Sequence, residues 1–165
     1  MLSAAVLLVV GPSSATPTSS DAADVASHDS SLAPNLEAQV VALVNLHRER
    51  AGCQPLQLNK HLRRAARSHS KRMARAGVMA HFLPGEPSLH RRFAQAGYDD
   101  WSLLAENVAA GFASPSDVVD AWMNSPTHRH NILNCRLRDM GVGVMANEPR
   151  YWWTQDFGRP AHTTS

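Results

Sequence analysis

A chain of 165 residues, 44% of them hydrophobic, has room for one ordinary domain with a buried core. A formal net charge of +2, with only 18% charged residues, excludes a strong overall attraction to nucleic acid or membranes. The basic residues are also not interleaved with aromatic ones, as they are where bases stack on a protein, so no nucleic-acid partner is expected.

The N-terminal part is expected to lie outside the folded domain. Residues 1–15 form an apolar run that ends in small residues, like a secretory signal peptide cut after Ala15. The positively charged start of such a peptide is missing, so the alternatives are a start further upstream or a floppy apolar tail. The run is too short to span a bilayer. Residues 16–34 are rich in Ser, Ala, Thr, Asp and Pro, a composition that predicts a disordered linker. The domain is expected over 35–158, with a fraying tail at 159–165.

Three helices are predicted in the first half of the domain. The first covers 35–51, and the second runs from an N-cap at Asn59 to Gly77, with His69 on its apolar stripe. The third starts after Ser88 and stops at Gly97. Most basic faces are simply solvated, but that of the second helix could meet a cell wall or phospholipid headgroups; it carries Lys60, Arg63, Arg64, Arg67, Lys71, Arg72 and Arg75.

Two short helices with proline at their first position follow a carboxylate in an apolar setting. That carboxylate, Glu106, either points out of a loop or is buried with a partner, because an unpaired buried charge is costly. Ser114 is the expected N-cap of the fourth helix and Ser125 that of the fifth. His128 would lie in the first turn of the fifth helix, where the helix dipole favours the neutral imidazole.

The chain is expected to end in two antiparallel strands. Residues 139–147 alternate apolar side chains with Gly141 and Gly143, which would let another element approach closely. Residues 151–158 form the second strand. Helices come first and strands last, so the fold class is α+β, with helices packed on a small antiparallel sheet. The two cysteines, Cys53 and Cys135, form one disulfide if the protein is secreted, or else stay as buried free thiols.

Taken as a set, a series of short motifs resembles the CAP superfamily, also called SCP domains: the cysteine-rich secretory, antigen 5 and plant pathogenesis-related proteins. The match is to the compact bacterial branch and covers about 36–158. The motifs are Asn45-x-x-Arg48, Gly52, Pro55-Leu56, His81, Ala105-Glu106-Asn107, Trp122-x-x-Ser125, His128-Arg129-x-Asn131, Gly141-Val142-Gly143 and Trp153-Thr154-Gln155-Asp156-Phe157-Gly158.

The resemblance implies an α-β-α sandwich, secretion, and a central cleft lined by two histidines and two acids. His81, Glu106 and His128 match three of these four residues, whereas Ser125 stands at the position of the second acid. A cysteine pair placed like Cys53 and Cys135 looks like a disulfide of secreted bacterial relatives.

Three uses of this cleft are open. His81, Glu106 and His128 could bind a divalent metal such as Zn²⁺, because two histidines and a carboxylate are a ligand set of catalytic zinc. The cleft, or a surface with exposed Trp101, Trp152 or Trp153, could instead bind a lipid or cell-wall ligand without catalysis, as some relatives bind sterols or lipids. The same polar residues could also form a purely structural network.

Serine hydrolysis through Ser125 and His128 is not expected, because an N-cap hydroxyl is already used and no Gly-x-Ser-x-Gly elbow is present. The sequence therefore predicts a secreted, monomeric, disulfide-linked CAP domain that binds a metal, lipid or cell-envelope ligand rather than acting as an enzyme. An extracellular zinc-dependent hydrolase is the alternative.

Overall fold

The computed structural model describes residues 19–147 and 149–162, with side chains from residue 33 onward. The predicted signal peptide and its cleavage site therefore lie outside the described residues. The elements, in chain order, are α1 (Ser19–Arg50), β1 (Gln57–Leu58), α2 (Lys60–Ala76), α3 (Leu89–Gln95), β2 (Leu103–Ala110), α4 (Pro115–Asn124), α5 (Pro126–Ile132), β3 (Asp139–Asn147) and β4 (Arg150–Arg159).

The four strands form one mixed sheet in the order β1-β3-β4-β2. Strands β3 and β4 are antiparallel, as predicted, and β2 adds to the free side of β4 in antiparallel register. The predicted sheet lacked β2 and β1. Strand β1 has two residues and is parallel to β3, so the sheet is not purely antiparallel. A parallel pair needs a long crossover connection, which the intervening helices and strands supply.

Helices cover both faces of the sheet, which confirms the α+β class and the α-β-α sandwich. On one face, α1, α4 and α5 pack on alternate residues of β3 and β4, including Val142 and Phe157. On the other face, α2 and α3 cover the remaining residues, and Trp152 packs there against Met73. Trp152 and Trp153 are thus both buried, so of the three tryptophans considered for a surface only Trp101 is exposed.

Gly141 and Gly143 bring α2 close to the sheet, as their alternation in β3 predicts. A Cβ atom at Gly143 would overlap the backbone of Arg67, and one at Gly141 the backbone of Arg63. Backbone atoms in a helix cannot rotate away as the end of a flexible side chain can. The helix carrying His69 is therefore held against the sheet at a distance that only glycine permits.

Gly143→Ala is accordingly expected to destabilise the domain by about 1–3 kcal/mol, the usual range for overpacking a well-filled core. The added methyl group has to push α2 away from β3 at Arg67. Urea denaturation followed by circular dichroism measures the loss. An unchanged unfolding midpoint would show that the helix moves away from the sheet at no cost.

Several motif residues hold the sandwich together. The Asn45 side chain donates to the Leu56 carbonyl and accepts from the Leu56 amide. The fully buried guanidinium of Arg48 donates to carbonyls of Gln54, Ile132, Asn134 and Leu137. Beside it, Cys53 and Cys135 form a disulfide with their Cα atoms 4.9 Å apart. This confirms the predicted disulfide, and it ties the end of α1 to the segment after α5.

The helix ends agree with the sequence in part. Asn59 and Ser114 cap α2 and α4 through their side chains, as predicted. Ser88 precedes α3, but its hydroxyl contacts the His90 ring instead of capping the helix. The first helix begins at Ser19, inside the segment that composition predicts to be a linker, and continues through Pro34. Its alanines favour helix, and extending an existing helix needs no new nucleus.

Across the part of the chain that the structure describes, no helix is both long and apolar enough to cross a lipid bilayer.

Candidate functional site

Glu106 lies at the centre of a buried polar cluster on the α2 side of the sheet. It belongs to β2, and its register partner in β4 is Asp156, which in turn pairs with Gly141 of β3. Only 6% of Glu106 is exposed, so the carboxylate is buried with partners, one of the two alternatives that the sequence leaves open.

Three positively charged or ionisable groups surround the Glu106 carboxylate. The Nδ1 atom of His81 lies 2.9 Å from Oε1. The Nη2 atom of Arg92 lies 2.8 Å from Oε2, as an ion pair without a well-aligned hydrogen bond. Nε2 of His69 is 4.0 Å from Oε2. Arg92 also donates to the His81 carbonyl, so α3 fixes both the carboxylate and the loop that carries its histidine partner.

A second buried layer lies behind this one. His69 is fully buried on α2, with Nδ1 2.8 Å from Oε1 of Glu86 and Nε2 2.9 Å from the Ala80 carbonyl. Both neighbours are acceptors, so two protons must lie between the ring and its partners: either the imidazole is doubly protonated or Glu86 carries one. Arg92 and Arg72 add positive charge, with Nε atoms 3.9 Å and 3.7 Å from Glu86.

The pKa values of Glu106 and Asp156 are shifted in opposite directions, although the two residues are opposite each other in the sheet. Burial opposes the charge on Glu106, but the hydrogen bond from His81 and the charges of Arg92 and His69 outweigh it and lower the Glu106 pKa. Burial and the negative charge of Glu106 raise the pKa of the fully buried Asp156 well above its ordinary value, against the opposing effect of Arg92. The surroundings therefore favour the ionised form of Glu106 and the neutral form of Asp156.

Amide side chains hold the backbone at His128 against β2. Asn107 donates to the His128 carbonyl, and Asn131 donates to the Glu106 carbonyl and to the Asn107 side chain, which joins α5 to β2. Burial and the nearby charge of His81 lower the His128 pKa. The direction agrees with the predicted neutral ring, and its causes are burial and a neighbouring histidine.

Ser125 occupies the N-cap position of α5, but its hydroxyl makes no capping hydrogen bond. The argument that capping uses this hydroxyl is therefore wrong. The expectation against a serine nucleophile stays a prediction, and among the described residues no hydrogen bond joins Ser125 to His128. Such a bond is what a serine–histidine pair needs for activation.

The residues fit a metal ion only in part. Among residues 33–147 and 149–162, no group of three or more His, Cys, Asp and Glu side chains is already arranged around one point. Glu106 is engaged by His81 and Arg92. What the arrangement offers is two imidazoles, of which His81 has its Nδ1 directed at a carboxylate; such a carboxylate commonly orients a metal-binding histidine from the second shell of a site.

Sequence reasoning missed four members of the cluster: His69, Glu86, Arg92 and Asp156. The sequence predicts His69 on the apolar stripe of its helix, and it does lie there. At that point, however, the stripe faces the Glu106 carboxylate. The signal for Asp156 was available only through the strand register. Once β2 is known to pair with β4, Asp156 falls directly opposite Glu106.

Comparison with known proteins agrees with this fold. The family model described as the cysteine-rich secretory protein family, CAP, matches residues 41–157. The Bacillus subtilis protein YkwD is 37% identical over 121 residues, which are 73% of this chain and 46% of that protein. The Bacillus subtilis membrane protein YlbC is 30% identical over the same share of this chain and 34% of its own length. The chain thus spans less than half of either relative.

Solved structures point the same way. An extracellular SCP-domain protein from Bacillus anthracis is similar with a TM-score of 0.73 and 26% identity, over 88% of this chain and 45% of that one. A cysteine-rich secretory protein from Staphylococcus aureus gives a TM-score of 0.63 and 25% identity, over 78% of this chain and 39% of that one. With the family model covering most of the domain, the chain belongs to the CAP family of cysteine-rich secretory proteins.

Proposed function

We propose that this chain is a secreted, non-enzymatic binding module whose cleft takes a divalent metal ion of the imidazole-binding class, such as Zn²⁺, through His81 and His128. Glu106, expected from the sequence to be a third ligand, instead orients His81. The extracellular and secretory descriptions of the two bacterial structures support the location.

The observation that carries the proposal is the His81–Glu106 contact. The Glu106 carboxylate accepts from Nδ1 at 2.9 Å, which leaves Nε2 of the neutral ring with its lone pair free. The imidazole is 58% exposed, whereas Glu106 is buried. Burial and Arg92 hold the carboxylate in place, so His81 is presented to solvent in one orientation. A carboxylate behind a histidine is a common second shell of metal sites.

His128 supplies the second imidazole. Its lowered pKa favours the neutral ring near physiological pH, and only the neutral ring binds a metal. Burial and the charge of His81 are the causes of this lowering. A bound Zn²⁺ would polarise a ligand or a water molecule. Ser125 at the position of the family's second acid leaves one candidate proton-transfer group fewer, which favours binding over hydrolysis.

A structural role is the second candidate, and the contacts behind Glu106 favour it. His69, Glu86 and Arg92 form a buried network around this carboxylate, so its charge is already balanced from within the fold. In that case, substitutions of His81 and His128 would change stability at most and would have no effect on metal binding.

Zinc titration of the chelator-stripped, disulfide-bonded chain by calorimetry separates these candidates. One-to-one binding is expected, lost in His81→Ala and in His128→Ala and kept in His130→Ala, an exposed control on the same short helix. Glu106→Gln should weaken binding about 10–100-fold, as second-shell substitutions do. Loss in the His130 control as well, or no binding by the unmodified chain, would contradict the metal proposal.

A further inference from the structure

Exposed apolar side chains are concentrated in the loop that follows α2. Of the six large hydrophobic residues that are exposed in the described part of the chain, three lie within five positions: Val78, Met79 and Phe82, which are 50%, 53% and 60% exposed. Gly77, with φ 65°, ends the helix and turns the chain into this loop. Single exposed apolar residues are ordinary, but a cluster of three on one loop marks an interaction surface.

The loop lies next to the most basic part of the molecule. Seven of the 17 residues of α2 are Lys or Arg and none is acidic. Its last turns share a concave surface with the end of the loop, lined by Lys71, Arg72, Arg75, Leu83 and Pro84. Arg72 is 3.7 Å from Glu86, whereas neither Lys71 nor Arg75 has a carboxylate within 4.0 Å among the described side chains. A net charge of +2 for the whole chain therefore conceals a local cationic edge.

From this juxtaposition we infer that Val78, Met79 and Phe82, with Lys71 and Arg75, form a docking surface for an anionic phospholipid bilayer. The three apolar side chains enter the interface between headgroups and acyl chains, and the two cations contact the phosphates beside them. Long basic side chains suit this position, because their stems lie against apolar surface while their charges stay in water.

A bilayer fits this surface better than a folded protein partner does. The apolar residues are few and lie on one loop, and the charges of the adjoining α2 are all positive. His81 stands between Met79 and Phe82 in the sequence, so docking would bring His81 to the membrane surface. The inference uses neither the His81 nor the His128 side chain and does not depend on the metal proposal.

Sedimentation of the full chain with lipid vesicles, in the presence of a chelator, tests the inference. Binding is expected to vesicles containing phosphatidylglycerol and not to pure phosphatidylcholine vesicles, and to weaken with salt. Met79→Ser with Phe82→Ser, and separately Lys71→Gln with Arg75→Gln, should each weaken it roughly tenfold or more, since every interfacial cation or apolar side chain accounts for a several-fold change. All four positions are exposed, so folding should be retained.

Matched controls lie elsewhere on the surface. Leu58→Ser removes a similarly exposed apolar side chain from β1, and Arg136→Gln removes an exposed cation after α5; both should bind as the unmodified chain does. His81→Ala should keep vesicle binding while losing zinc, which separates this inference from the proposed function. No binding to anionic vesicles, or equal effects in the controls, would overturn it. A dimer in solution abolished by the Met79–Phe82 double variant would assign the face to a second copy of the chain instead.

Discussion

Replacing Arg92 by glutamine is expected to destabilise the domain by about 3–5 kcal/mol at neutral pH, the cost of removing one partner from a buried ion pair. The guanidinium is almost fully buried, 2.8 Å from the Glu106 carboxylate and 3.9 Å from Glu86. Without it, two buried acids lose their shared positive neighbour. Urea denaturation followed by tryptophan fluorescence and circular dichroism measures the difference.

The pH dependence shows whether charge is the cause. The folded pKa of Glu106 is lowered, so its stabilising contribution is present above the unfolded value of about 4.3 and is lost as the pH falls through the folded pKa. Arg92 is one cause of this lowering. The gap in stability between the unmodified chain and Arg92→Gln should therefore narrow as the pH falls below about 4.

Two further variants make the test specific. Glu106→Gln in the Arg92→Gln background should restore part of the loss, because the second change removes the uncompensated charge. Arg91→Gln changes the exposed neighbour on the same helix and should cost under about 0.5 kcal/mol. Equal losses for Arg91→Gln and Arg92→Gln, or no recovery in the double variant, would contradict a charge-based role for Arg92.

The sequence alone was sufficient for those features that depend on local patterns. The capping residues Asn59 and Ser114 are short-range signals, and the alternation around Gly141 and Gly143 is set by the two-residue period of a strand. The final antiparallel pair is also local, because the two strands are joined by a short turn. The resemblance to the CAP family identified His81, Glu106 and His128 as candidate site residues, and the structure brings His81 and Glu106 into contact.

Features that depend on pairing between strands far apart in the sequence could not be predicted from the sequence. Strand β2 is buried on both faces beside β4 and shows no clean alternation, so the stretch around Glu106 did not read as a strand. Without β2, the register between β2 and β4 is unknown. Nothing in the sequence then indicates that Asp156 lies opposite Glu106. Arg92 and Glu86 had no signal of their own, because a basic residue in a short helix and an acid in a turn are usually solvated.

The missed residues change how the site is understood. A cleft of His81, Glu106 and His128 would be a set of equal ligands, whereas the structure separates an accessible layer of imidazoles from a buried layer of charges. Glu106 belongs to both layers: it accepts from the exposed His81 on one side and is paired with Arg92 on the other. The buried layer sets the charge of Glu106, and Glu106 is the group that the exposed His81 contacts.

Asp156 is the member of that buried layer with the largest expected pH effect. Its folded pKa is raised, so the native state holds a proton that the unfolded chain releases above a pKa of about 3.9. The stabilising contribution is fully present below this value and is lost as the pH rises from there through the folded pKa. Between the two pKa values, stability falls by about 1.4 kcal/mol for each pH unit.

Asp156→Asn is therefore expected to stabilise the domain at neutral pH, by an amount that grows with pH from about 4 upward. Neither carboxyl oxygen of Asp156 has a hydrogen-bond partner among the described residues, and an amide of nearly the same shape has no proton to lose. Denaturation curves of both chains from pH 4 to pH 8 measure the difference. Asp120→Asn is the matched control, because Asp120 is exposed on α4, so removing its charge should bring no comparable gain. A loss of stability in Asp156→Asn that does not vary with pH would contradict a protonated Asp156 in the folded state.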